Sequence, residues 1–123
     1  MLTAWILGAG IGVVSELGAK TLRLWLYRKP IYPVLNVILM FGITMGSVSR
    51  LATQWGLAAA FAAGTAIGFA YEWLNFLALD WWFFPDNRFL MSRGRTAIAA
   101  SVAITWGAVP VMIALLRPLL SSP

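Results

Sequence analysis

The chain has 123 residues, enough for one domain, and 61% of them are hydrophobic against 11% charged, too few charges to solvate a globular surface. It holds no cysteine and no histidine, which excludes disulfides, thiolate catalysis, the usual zinc, haem and copper ligands, and an imidazole general base. The net charge is +5, and the cations flank apolar runs, so they read as orienting the chain in a membrane and not as a nucleic-acid surface.

Crossing a bilayer takes about 20 helical residues. Four runs meet that length, so the expected fold is all-α: a polytopic membrane protein with four transmembrane helices in a single domain over 1–123. The first span covers roughly Leu2 to Leu26, with charge entering at Glu16, Lys20 and Arg23. Residues 2–15 have the character of a signal-peptide core. The basic residues follow the run, however, and no small-residue cleavage site stands out, so this span is expected to be kept. The second span runs from about Ile31 to Ser49, opened by Pro33 and Asn36. The third runs from about Gly56 to Phe84, and the fourth from about Thr96 to Leu116, with a kink expected at Pro110. Breaks fall at Arg28-Lys29-Pro30, Thr53-Gln54-Trp55-Gly56 and Pro85-Asp86-Asn87-Arg88, where proline and polar residues stop helices.

Lys20, Arg23, Arg28 and Lys29 approach or occupy the first connection, and Arg88, Arg93 and Arg95 the third. Four spans put those two connections on one side. The positive-inside rule then predicts that 28–30 and 85–95 are cytoplasmic and both termini outside, as in a bacterial inner membrane protein.

Gly8, Gly12 and Glu16 recur at the same spacing as Gly64, Gly68 and Glu72, and Trp25 matches Trp81 at the same offset. Further on, Gly42-Ile43-Thr44-Met45-Gly46 matches Ala103-Ile104-Thr105-Trp106-Gly107. These matches predict two helix-pair repeats, about 2–53 and 56–117. An even number of spans per unit makes them parallel.

Spacing of four places residues on one helix face. Gly8, Gly12, Glu16 and Lys20 share one stripe, and Gly64, Gly68, Glu72 and Phe76 another. Small residues let helix backbones approach closely in lipid, so the first and third helices are expected to pack together with Glu16 and Glu72 side by side. Gly42/Gly46 and Ala103/Gly107 offer matching faces on the other two helices. Two carboxylates together in low dielectric cannot both ionise cheaply. Glu16, Glu72, Tyr71 and Asn75 are therefore the candidate site for a proton, a cation or a substrate. For Glu16 an ion pair with Lys20 is the equal structural alternative. Trp25, Tyr27, Tyr32, Trp81 and Trp82 are expected in an interfacial aromatic belt, and Asp80 beside Arg88 or Arg93.

The segment Leu7-Gly8-Ala9-Gly10-Ile11-Gly12-Val13-Val14-Ser15-Glu16-Leu17-Gly18-Ala19-Lys20 resembles the first helix of small multidrug resistance transporters. Those are four-span proteins of similar length with a membrane-embedded glutamate. The resemblance covers one helix, and Glu72 departs from that pattern.

Three functions fit: a proton- or cation-coupled transporter, an accessory subunit of a larger membrane complex, or an enzyme acting on a lipid or isoprenoid. The expected surroundings are lipid and either a second copy or a larger membrane partner. No metal motif, phosphate loop or nucleophile elbow occurs, and no cofactor is expected.

Overall fold

The computed structural model describes residues 1–121. Four helices are long and apolar enough to cross a membrane: α1 (Leu2–Leu22), α2 (Ile31–Trp55), α3 (Leu57–Leu79) and α4 (Arg95–Ser121). The all-α expectation is modified in the connections, which carry two short antiparallel ladders. Leu26–Tyr27 (β1) pairs with Trp82–Phe83 (β2), and Arg88–Phe89 (β3) with Ser92–Arg93 (β4). The first ladder joins the first and third connections, so the two cation-rich segments lie together on one side.

The helix ends differ from the apolar runs, for backbone reasons. The apolar run reaches Leu26, yet α1 stops at Leu22. Arg23 turns left-handed (φ 54°), and the Leu24 N–H closes back on the Ala19 carbonyl at 2.9 Å. At the end of α3 the residues Asn75–Leu79 form a π turn, and Asp80 takes the same left-handed role (φ 49°). Trp25 and Trp82 are thereby thrown out of their helices and fold back. Near its start α2 accommodates Pro33, whose missing N–H costs nothing in a first turn. It then widens into a π helix over Asn36–Thr44, where the Thr44 hydroxyl donates to the Leu39 carbonyl at 2.7 Å. It continues past Ser49 to Trp55, until Gly56 (φ 96°) breaks it. Pro110 sits inside a continuous α4, buried against α3.

The glycine stripes do not join α1 to α3. Each packs within its own hairpin. Gly8 lies on the backbone of Phe41 and Gly42, and Gly12 on the Phe41 ring. Gly64 faces Pro110 and Gly107, and Gly68 the Trp106 side chain. Gly42 and Gly46 return the contact to Trp5 and Ala4, and Gly107 returns it to Phe61 and Thr65. The broadest contacts are therefore α3 with α4 and α1 with α2. The hairpins meet where α1 touches α4 and where the Phe41 and Trp106 rings pack with centroids 4.5 Å apart. The sequence stripes identified the buried faces but not their partners, because a face rich in glycine suits any neighbour.

Replacing Gly68 by leucine must displace Trp106, while Gly10 has open space beside it. Gly68→Leu is expected to lower stability by about 1–3 kcal/mol through overpacking. Gly10→Leu should stay within about 0.5 kcal/mol. Detergent unfolding titrations of both variants check this.

Candidate functional site

Glu16 lies six residues before the end of α1, about 9 Å along the helix from that end. Its carboxylate accepts from three side chains. Trp25 Nε1 donates to Oε2 at 3.0 Å, and Tyr27 Oη and Asn36 Nδ2 each donate to Oε1 at 2.7 Å. Asn36 Nδ2 also reaches Tyr27 Oη at 2.9 Å, and Asn36 Oδ1 accepts from Tyr71 Oη at 2.8 Å. Burial first, then the Glu16 charge beside it, pushes the Tyr27 phenol well above the ordinary tyrosine range, so it remains a donor.

Glu72 lies seven residues before the end of α3 and is only 3% exposed. Trp82 Nε1 donates to its Oε2 at 2.9 Å. Trp106 Nε1 stands 3.5 Å from Oε1, beyond the usual range for N–H···O. Asn75 makes no side-chain hydrogen bond to the Glu72 carboxylate. Its side chain accepts from the Trp81 N–H (2.8 Å) and donates to the Trp82 carbonyl (2.9 Å), which fixes the returning strand and aims the Trp82 indole at Glu72. The two carboxylates thus share one kind of neutral donor, an indole N–H folded back from the following connection. They differ in saturation: Glu16 accepts three short bonds, Glu72 one.

The nests are joined through aromatic side chains. The Trp82 ring sits 4.8 Å from the Tyr71 ring and 6.0 Å from the Tyr27 ring, centroid to centroid. Beside them lies a cavity of about 340 Å³ with Glu72, Asn36, Trp82 and Trp106 on its wall. No group of three or more His, Cys, Asp or Glu side chains able to hold a metal ion occurs among the described residues.

Several expectations are corrected here. Lys20 is exposed and does not pair with Glu16, whose donors are all uncharged. Asp80 pairs with Arg28 (3.1 Å) instead of Arg88 or Arg93, because β1–β2 pairing brings the first connection across. Trp25, Tyr27 and Trp82 turn their polar atoms to the two glutamates, with Trp82 buried and Trp25 and Tyr27 half-buried. Tyr32 and Trp81 stack on one another at 4.8 Å. Tyr71 contacts Asn36, not the adjacent Glu72. Five residues of the site went unrecognised as such in the sequence: Trp25, Tyr27, Asn36, Trp82 and Trp106. A signal existed in part, since a tryptophan follows each glutamate by nine or ten residues.

No family model, curated protein or solved structure matches the chain. The likeness of the first helix to small multidrug resistance transporters is not extended by any of these comparisons.

Asn75→Leu leaves the Trp81 N–H and the Trp82 carbonyl without their side-chain partner. It is expected to cost about 1–3 kcal/mol, the penalty of unsatisfied buried groups. Equilibrium unfolding, with a red shift of tryptophan emission as Trp82 loosens, is the measurement.

Proposed function

We propose that this chain is a small proton- or cation-coupled transporter in which Glu72 exchanges its bound proton or cation and Glu16 holds the architecture. The observation that carries the reading is the contrast in hydrogen bonding. An ionised carboxylate offers about four acceptor positions. Glu72 is buried, receives one good bond, and lines a cavity; its free acceptor capacity is available to a ligand. Intramembrane ionisable groups of this kind mark transport and proton-relay pathways.

The proposal includes duplication of a helical hairpin. Each glutamate takes an indole N–H from Trp25 or Trp82. These tryptophans are offset by 57 residues where the glutamates are offset by 56, and the extra residue is the one inserted by the π turn in α3. This replaces the Trp25–Trp81 match expected from the sequence. Arg23 and Asp80, also 57 apart, share the left-handed turn, and Leu26 faces Phe83 in the ladder, again 57 apart. In this reading the two cation-rich connections face the cytoplasm of a bacterial inner membrane. A second copy of the chain completes the enclosure of the pathway.

Reconstituted protein on a solid-supported membrane, challenged with jumps in proton, sodium, potassium or ammonium concentration, tests the function. Wild-type protein should give charge movement with at least one of these, and Glu72→Gln should abolish it at equal folded amount. Glu16→Gln, which keeps an acceptor for most of its donors, should reduce the signal through lost stability. A wild-type protein silent to all four ions, or a Glu72→Gln variant as active as wild type, overturns the proposal.

A further inference from the structure

The cavity beside Glu72 has a mouth and a chemical bias that narrow what it can hold. Its inner wall is buried: Glu72, Trp82 and Trp106 are each 5% exposed or less. Its rim is formed by Gly18 and Leu22 of α1, Thr105 of α4 and Leu90 at the tip of the β3–β4 hairpin, and all four are exposed. A side chain added at Gly18 would meet nothing within 4 Å. The opening therefore lies between α1 and α4, on the flank that a bilayer covers. Gly18 stands four residues before the end of α1, about 6 Å along the axis from it. The mouth is at the depth where acyl chains meet head groups.

Most donors along the wall are already engaged, the half-buried Ser15 hydroxyl being an exception. The indole N–H groups of Trp25 and Trp82 donate to the two carboxylates, and that of Trp106 points at Glu72 from 3.5 Å. The Tyr27 hydroxyl and the Asn36 amide donate to Glu16, and the Thr105 hydroxyl donates to the Val102 carbonyl. No lysine or arginine lines the cavity. Besides the Ser15 hydroxyl, what remains is acceptor capacity, on Glu72. An anionic head group would find no cation there and would face a carboxylate. A head group that donates hydrogen bonds finds an acceptor, and a cationic one also finds aromatic rings. The rest of the wall is apolar and suits a hydrocarbon body.

We infer that the cavity takes an amphiphile directly from the lipid phase, entering between α1 and α4, with a hydrogen-bond-donating head, a primary ammonium or a hydroxyl, seated on Glu72. This rests on the reading of Glu72 as the exchange site and names the class of molecule it serves.

Terminally brominated dodecylamine, dodecanol and dodecanoate, added to vesicles at pH 8, provide the test. Three of the seven tryptophans line the cavity, so an occupant quenches their emission with a saturable component above the linear collisional background. The amine should saturate at the lowest concentration and the alcohol next, while the acid should give background only. Gly18→Leu fills the mouth, and it and Glu72→Gln should weaken the amine by about tenfold or more, which is 1.4 kcal/mol. Gly10→Leu, on open space away from this cavity, should leave it unchanged. Saturable quenching that is equal for the acid, or unaltered in folded Gly18→Leu, overturns the inference. So does absence of any saturable component. If ion currents dependent on Glu72 persist while no amphiphile binds, the ligand class fails and the transporter reading survives. If the amine binds and no current is seen, the transporter reading alone fails.

Discussion

Two acidic side chains between apolar helices, Glu72 buried and Glu16 half-buried, impose the constraint that shapes this molecule. In hydrocarbon there is no water to solvate a carboxylate, and each must find its donors within the protein. The solution here is the indole N–H, a neutral donor carried on an apolar body that tolerates the same interior. Neither Trp25 nor Trp82 belongs to the helix of its glutamate. Each comes from the connection beyond, so the chain must leave the helix and turn back. The left-handed residues Arg23 and Asp80 make those turns, and the Leu26–Phe83 ladder ties the two returning segments together. The local geometry of the connections is thus set by the needs of side chains about 9 Å inside the helices.

The helix packing follows the same need. Around both glutamates the neighbouring helix lies close, and the glycines allow this. Gly12 admits the Phe41 ring, and Gly68 admits Trp106. These two aromatic side chains meet each other between the hairpins at 4.5 Å. Dispersion between the rings and close helix contact replaces the hydrophobic driving force that lipid does not supply. The π turn at Asn75–Leu79 adds one residue, and the Asn75 side chain holds the strand that results. Such turns recur at functional sites because they re-aim a side chain without ending a helix.

Much of this was legible in the sequence, and the reasons for the rest are physical. The four spans follow from length and hydropathy. The buried face of each helix follows from spacing four, and Glu16 and Glu72 stand out because charge is costly where they lie. The partner of each face was not legible: Gly8 and Gly12 suit α2 or α3 equally by size. Trp25, Tyr27 and Trp82 carry the same signature whether they stop at an interface or fold inward, since amphipathic aromatics suit both places. Asp80 pairs with Arg28 only because a two-residue ladder exists, and two-residue ladders leave no periodicity to read. Asn36 lies at the start of a π helix that no apolar pattern announces.

The decisive feature is an inequality between two sites of similar construction. At Glu16 the hydroxyl of Tyr27 and the amide of Asn36 complete the set of donors. Under the proposed offset of 57, the position matched to Tyr27 is Phe84, whose ring packs against Trp25 and cannot donate. Glu72 is left with Trp82 and a distant Trp106. A purely structural carboxylate gains nothing from this, because each missing bond costs free energy in a dry interior. Tyrosine at 84 or glutamine at 72 would be a small change in side-chain volume. A site that departs from local consistency in this way, beside a cavity and in one of two otherwise similar nests, is where function is expected to reside.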